Sequence, residues 1–447
     1  MQVPVTAIVV ALALALLVTP MVKKYAFKIG ALDRPDRRKV HKRVMPRLGG
    51  LAIYFSFIAA VLLTMDMAPQ VYGLLLGGTL IIVLGFIDDT KGLSPRLKLA
   101  GQIAAAAAVA AIPFGLRVEF LTNPFSDELI TLGILAIPVT VLWIVSVTNA
   151  VNLIDGLDGL AGGTVFISAL TLAAVVWIET AKAGVFPGQS EAFVLALILA
   201  AAIAGFLRYN FHPAKIFLGD SGSMFLGFSI AALSIMGVAK SATFISVIIP
   251  VVILGIPLLD TIFAIVRRYC GRRPIFQPDK EHLHHRLIQM GLSHRQAVLS
   301  IYGVNVVLGL SAIVLTLISP KQAVIFLVIL STLILLAANK LGVAGVGGRS
   351  RSAPAGSGHP SGPRRARGGA EPPGPHLCAA HLSGQDQRRH RRHLAHRCRP
   401  AAQGHVDVAS TPHGAHDQLR GRVRRVLPNQ SRRRGVGHGD GAHRRHR

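Results

Sequence analysis

Charge is what this sequence has least of. Only 15% of its 447 residues are Asp, Glu, Lys or Arg, while 51% are hydrophobic. Soluble domains carry about 25% charged residues, so an ordinary soluble fold is set aside at once. Cysteine is nearly missing: Cys270, Cys378 and Cys398 are the whole set. They argue against a disulfide framework and against a Cys-based metal site. No GxxxxGK[ST] loop occurs, which argues against an ATP-driven pump. Acids number 21 against 48 Lys and Arg. An acid beside an apolar block therefore needs a reason to be there.

Long apolar blocks dominate, such as 3–22 and 321–340. About 20 apolar residues in a helix cross a hydrocarbon core about 30 Å thick. The first block has no basic run before it and more blocks follow, so it reads as a span and not as a signal peptide. Eleven spans are expected: 3–22, 48–65, 70–87, 97–113, 131–148, 161–179, 192–208, 220–238, 243–266, 298–318 and 322–340. Alternate loops are basic: Lys23 to Arg47, then Lys91, Arg96 and Lys98, then Arg208 and Lys215, then Arg267, Arg268, Arg272, Arg273 and Lys280. The others are poor in Lys and Arg. The positive-inside rule makes the basic set cytoplasmic, with the N-terminus outside. The expected class is an all-α polytopic membrane protein of about eleven transmembrane helices.

Composition changes near residue 341, which divides a membrane domain (1–340) from a tail (341–447). The tail has no Lys, Ile, Phe, Tyr, Trp or Met. From Arg349 onward, 21 arginines face five acids, a net +16 of the chain's +27. Such a segment cannot bury enough apolar surface to fold alone and reads as disordered. Without aromatics to stack on bases, a specific nucleic-acid role is not expected. An anchor for anionic lipid is one reading of the arginines. The Arg/Gly/Pro/Ala/His vocabulary is also what a GC-rich gene yields out of frame.

Five polar clusters interrupt the apolar pattern, all in loops assigned to the cytoplasmic side. "DRPDRRKVHKRVMPRLGG" (33–50) offers cations, with Arg47 beside Gly49 and Gly50, where backbone can approach a neighbour closely. "GFIDDTKGLSPRLKLAGQ" (85–102) ends a span in adjacent Asp88 and Asp89. Like charges that close should share a cation or hold a proton. Lys98, at the start of the next span, is a candidate for holding a diphosphate. "NAVNLIDGLDGLAGG" (149–163) sets Asn149, Asn152, Asp155 and Asp158 three apart. The first three form an oblique stripe on a helix, and the glycines predict unwinding around Asp155 and Asp158. "FLGDSGSMFLGF" (217–228) opens a span with Asp220, a helix cap or a Mg²⁺ ligand. "RRPIFQPDKEHLHHRL" (272–287) gathers His282, His284 and His285 without a Cys, which suits phosphate better than zinc. Asp260, within a span, is functional or paired. Acids, amides and cations at one membrane edge suit phosphoryl chemistry with a hard cation. A secondary transporter is the rival class, but it would hold its polar groups near the midplane.

Taken in order, "PRLGG", "DDTKGLSPRLKLAGQ", "NAVNLIDGLDGLAGG", "FLGDSGSMFLGF", "PLLDTIFAIVRR" and "HLHHRL" resemble the motifs of the polyprenyl-phosphate N-acetylhexosamine-1-phosphate transferases. The resemblance covers roughly residues 1–340. His-Leu-His-His looks like the UDP-GlcNAc branch; the phospho-MurNAc-pentapeptide branch, the alternative, has three consecutive histidines. "RKVHKRVMPRLGGLAIY" is similar to starters of wall teichoic acid linkage units, with O-antigen and enterobacterial common antigen starters a near second. The resemblance implies a bacterial plasma-membrane enzyme with a cytoplasmic site, joining UDP-GlcNAc and undecaprenyl phosphate into GlcNAc-diphospho-undecaprenol and UMP. It implies Mg²⁺, with Mn²⁺ as an alternative, on Asp220 and Asn152. Asp88 would activate the lipid phosphate, supported by Asp89, with Asp155, His284 and His285 also catalytic. Lys98, His282 and its neighbours would hold the diphosphate, and Asp158 and Phe217 the uracil, with Asn149 and Arg47 among the substrate contacts. It also leaves room for a homodimer.

Every cluster precedes the tail, so truncation after Lys340 is expected to leave membrane insertion and turnover intact. A truncated protein that inserts but loses activity at low salt would show that the tail takes part.

Overall fold

In lipid, backbone polar groups must be paired within their own segment, so apolar blocks of this length fold as helices. A computed structural model describes residues 2–33, 44–111, 114, 116–122, 129–186, 190–238, 244–270, 272 and 282–340. The basic run 34–43, the stretch 273–281 and the tail from 341 lie outside the described residues, and so do the readings placed on them. The helices are α1 (Gln2–Ile29), α2 (Gly49–Thr64), α3 (Pro69–Lys91), α4 (Pro95–Ala111), α5 (Ala136–Ile154), α6 (Leu160–Lys182) and α7 (Glu191–Asn210). They continue as α8 (Gly219–Val238), α9 (Phe244–Ile253), α10 (Gly255–Cys270), α11 (Leu283–Gln289), α12 (His294–Leu317) and α13 (Pro320–Lys340). Two short antiparallel ribbons complete the described elements: β1 (Leu32–Asp33) pairs with β2 (Met45–Pro46), and β3 (Phe120–Thr122) with β4 (Leu129–Thr131).

The polytopic helical class holds, and among the described residues eight helices are long and apolar enough to cross a membrane. The other three expected spans differ in detail. Residues 48–65 form the 16-residue α2, and 97–113 the 17-residue, Ala-rich α4. The expected span 243–266 is broken at Leu254 into α9 and α10. Pro257 explains the break: its ring crowds the carbonyl four residues back, and it lacks an N–H to donate. The expected unwinding after Asn152 is present, since α5 stops at Ile154 and α6 starts at Leu160.

Helix α8 is the hub. It packs against α2, α3, α5, α6 and α7, and residues 221–236 are all buried. Helix α13 is the opposite case, with only Ala323 and Ala338 buried and Val324, Ile325, Val328 and Leu333 exposed as lipid-facing residues should be. Small residues bring backbones together around α8. A Cβ on Gly50 would overlap Gly222 Cα, and one on Gly85 would overlap Ser221 Cα. The first donors of α2 use this closeness: Gly49 N–H donates to Phe217 O at 2.9 Å and Gly50 N–H to Leu218 O at 2.9 Å. Those helix-end donors would otherwise be unsatisfied. The sequence signal for this contact is the Gly49–Gly50 pair.

Gly50→Ala should therefore force backbone apart, at a cost of about 1–3 kcal/mol, and lower the melting temperature in detergent. Gly303→Ala, where an added Cβ meets nothing within 4 Å, should leave it unchanged or raised.

Candidate active site

The start of α8 organises one end of the bundle. The chain enters it through Gly219 at φ +77, a conformation that favours glycine, and a Cβ there would also overlap Arg47 O. Two N–H groups of the first turn are then received by one carboxylate. Asp220 N–H donates to Asp89 Oδ1 at 3.0 Å and Ser221 N–H to Asp89 Oδ2 at 2.9 Å. The Arg47 guanidinium completes the arrangement, 3.3 Å from Asp89 Oδ1. It also donates to the backbone oxygens of Asp89 at 3.1 Å and Asp88 at 3.3 Å, favourable for a cation at the end of α3.

Asp88 turns elsewhere. Successive residues on a helix point about 100° apart, so the adjacent acids meet different neighbours. Asp88 Oδ1 accepts from Leu93 N–H at 2.7 Å, and Oδ2 lies 3.0 Å from Lys98 Nζ. Of the two expectations for this pair, a shared cation or a held proton, the shared cation is not seen: each carboxylate has its own cation. Lys98 Nζ also donates to Asp220 Oδ1 at 2.5 Å and Asn152 Oδ1 at 3.2 Å. Asn152 Nδ2 donates to Asp220 Oδ1 at 2.7 Å and to Ser223 Oγ at 2.8 Å. Asp88, Asn152 and Asp220, from three of the sequence clusters, thus converge on one ammonium.

Beside this junction lies a cavity of about 490 Å³. Of the candidate residues from the sequence, Arg47, Asp89, Asn152, Asp155, Asp158, Phe217, Asp220 and His285 line it. Asp88, Lys98, Asn149, His282 and His284 do not line it. Asn149 donates to Gln102 Oε1 at 2.6 Å and Val145 O at 2.8 Å. His282 Nδ1 lies 3.0 Å from Asp260 Oδ2, and Leu283 N–H donates to Asp260 Oδ1 at 2.9 Å. That resolves Asp260 as paired: it anchors the start of α11. Behind the cavity, His284 sits where a Cβ on Gly156 would overlap its Nε2. Burial, reinforced by His285, holds the His284 imidazole down at about 3, so it is neutral at physiological pH and supplies no fixed positive charge.

Asp155 behaves in the opposite sense. Burial, then the nearby charges of Asp220, Asp89 and Asp158, push its carboxyl up to about 8. That negative field invites a cation. The oxygens of Asp220 and Asn152 already receive an ammonium, and oxygen donors match a hard ion such as Mg²⁺. The donor set therefore fits the expected metal.

Sequence reasoning missed a second group. Asp158, His212 and His294 offer ligand-type atoms within 4.8 Å of one another, and all three line the cavity. His212 lies in a basic loop, "FHPAK", and His294 in the "GLSHRQ" that opens α12, but neither stands out by spacing.

The chain matches the glycosyl transferase family 4 model over residues 71–238. It is 46% identical over 333 residues to the "Probable undecaprenyl-phosphate N-acetylglucosaminyl 1-phosphate transferase" of Bacillus subtilis (strain 168), covering 74% of this chain and 89% of that protein. It is 37% identical over 305 residues to the "Decaprenyl-phosphate N-acetylglucosaminephosphotransferase" of Mycolicibacterium smegmatis (strain ATCC 700084 / mc(2)155), covering 64% and 75%. It is 30% identical over 282 residues to the "Undecaprenyl-phosphate alpha-N-acetylglucosaminyl 1-phosphate transferase" of Yersinia pestis, covering 62% and 74%.

Asp155 yields a stability prediction. Between 3.8 and about 8 the folded protein keeps a proton that the unfolded chain has released. Stability from this group is therefore present at low pH and lost as pH rises through that window. Asp155→Asn, neutral at every pH, should raise the melting temperature at pH 8 without divalent cation, with the gain shrinking toward pH 4. A gain that does not vary with pH would contradict the raised value.

Proposed function

The chain belongs to glycosyl transferase family 4, and from that membership we propose that it transfers GlcNAc-1-phosphate from UDP-GlcNAc to undecaprenyl phosphate, releasing UMP. The observation that carries this reading is the convergence of Asp88, Asn152 and Asp220 on Lys98 beside the polar cavity. The product is GlcNAc-diphospho-undecaprenol, opening synthesis of wall teichoic acid or a similar cell-wall polysaccharide. The nucleotide sugar enters from the cytoplasmic side, as the basic loops support. The lipid substrate keeps its tail in the bilayer and brings only its phosphate to the cavity.

In this reaction an oxygen of the lipid phosphate attacks the phosphorus that carries the sugar, and the bond to the UMP oxygen breaks. Catalysis of this kind is mostly positioning and charge stabilisation. Arg47 lines the cavity and offers its guanidinium to phosphate oxygens. Lys98, held by Asp88, offers the second cation from the edge of the site. Asp155 holds its own proton at neutral pH, so it could take one from a singly protonated lipid phosphate only once a bound cation offsets the negative charges of Asp220, Asp89 and Asp158. Asp88, expected from the resemblance to activate the lipid phosphate, is read instead as holding Lys98, since both its oxygens are engaged, and Asp89 as holding the start of α8. Phe217 provides a flat apolar face for the uracil, and Asp158 a hydrogen-bond acceptor for its edge. Asp220 and Asn152 would hold Mg²⁺, or Mn²⁺ in its place; when bound, the ion neutralises diphosphate charge and polarises the reacting phosphorus. His285 lines the cavity and is the one of its cluster able to meet substrate there.

The test is UMP release by purified protein offered UDP-GlcNAc, UDP-GalNAc or UDP-MurNAc-pentapeptide, with undecaprenyl phosphate and Mg²⁺. Turnover is expected with UDP-GlcNAc; preference for the pentapeptide donor would transfer the chain to the other branch. Asp220→Ala should abolish release. Near-normal Mg²⁺-dependent turnover in that variant would rule out its role as ligand.

A further inference from the structure

The turn between α5 and α6 carries Asp155 and Asp158, and it is gripped from outside by residues without an assigned part in the reaction. His212 Nδ1 lies 2.8 Å from Asp158 Oδ2, and Ala214 N–H donates to the same oxygen at 3.1 Å. The backbone N–H of Asp158 donates to His294 Nε2 at 2.9 Å. A nitrogen that accepts an N–H carries no proton, so His294 is in its Nδ1–H tautomer. The two imidazoles stack with centroids 4.4 Å apart at 24°. Arg295 Nη2 donates to His212 O at 3.2 Å, joining the start of α12 to the loop before α8. A capping box between Ser293 and Gln296 fixes where α12 begins, and hence where His294 stands.

We propose that His212 and His294 are positioning residues for the nucleotide sugar: they clamp the 155–159 turn so that Asp158 commits Oδ2 to the protein and keeps Oδ1 for the ligand. Among the described residues Oδ1 accepts no hydrogen bond, while Asp158 lines the cavity. The turn needs such a grip. It lies between two helix ends and contains Gly156 and Gly159, the latter at φ +79. An ungripped turn of this composition samples many conformations, and ordering it on binding weakens affinity. A metal is the rival explanation for an Asp with two His. It fits less well, because His294 Nε2 and Asp158 Oδ2 are both already engaged with backbone N–H groups.

The inference rests on the reading that this cavity takes UDP-GlcNAc, so the test measures that activity first. In the full-length chain, His212→Ala and His294→Ala should each raise KM for UDP-GlcNAc roughly tenfold, the size of one lost charge-assisted hydrogen bond. The value of kcat and the KM for undecaprenyl phosphate should stay within about twofold, because a binding interaction has been lost and not a transition-state one. His212→Asn, whose amide can donate where Nδ1 stood, and His294→Gln, whose oxygen can accept where Nε2 stood, should restore most of the affinity. In an Asp158→Ala background, His212→Ala should add nothing, because its partner is gone. His294→Ala should still add its effect, because it acts on the backbone N–H. His212 is 41% exposed and tolerates truncation, so its variants decide the matter if His294→Ala does not fold. A wild type that releases no UMP from UDP-GlcNAc overturns the functional reading and the clamp with it. An active wild type whose His variants keep their KM, or lose only kcat, overturns the clamp alone. Stoichiometric zinc in the purified protein that is lost in His294→Gln would also overturn it, by making the group a metal site.

Discussion

One buried carboxylate holds the site end of the bundle together. Asp89 receives the Asp220 and Ser221 N–H groups and the Arg47 guanidinium, and its side chain is only 1% exposed. A charge buried without partners would cost several kcal/mol, and a helix start without acceptors would leave several donors unsatisfied. Each defect cures the other. Through this contact α3 fixes where α8 begins, and Arg47 ties the strand before α2 to the same point. The position of Asp220, and with it that of Lys98 and Asn152, follows from that bond. An Asp→Asn change here would keep one acceptor but lose the negative charge that suits the positive end of α8.

Much of this was legible before any coordinates. The class follows from apolar length, since α3, α6, α7, α8 and α12 each coincide closely with a block in the sequence, while α5 lies five to six residues further along than expected. The site was legible because acids are scarce: Asp88, Asp89, Asp155, Asp158 and Asp220 stand out against apolar surroundings, and four of these line one cavity. Glycine spacing marked the break between α5 and α6, because the φ of +79 at Gly159, just before α6, is not a helical conformation.

What sequence could not show was direction. Asp88 and Asp89 are neighbours in the chain, but helix geometry sends one to Lys98 and the other to α8. Asn149 and Asn152 lie on one stripe, yet one turn of rise takes Asn149 away from the cavity and onto Gln102. The break at Leu254 was hidden because Pro257 acts on backbone behind it, inside an otherwise uniform apolar run. His212 and His294 meet across 82 residues of chain, a relation that no local pattern encodes, and a single His in a polar loop carries no signal of its own.

The Asp89 contact also has a history within each molecule. Its two partners on α8 lie 131 and 132 residues further along the chain. At about 5–20 residues per second, the ribosome needs roughly 7–26 seconds to make that stretch. During this interval α3 is made while α8 is not, and Arg47 and Lys98, the two cations that pair with Asp89 and Asp88 in the folded protein, have already been synthesised or follow within ten residues. Those two residues are therefore companions of the acids during biosynthesis before they are parts of a finished site. The N–H groups of Asp220 and Ser221 can replace water on Asp89 only when α8 arrives.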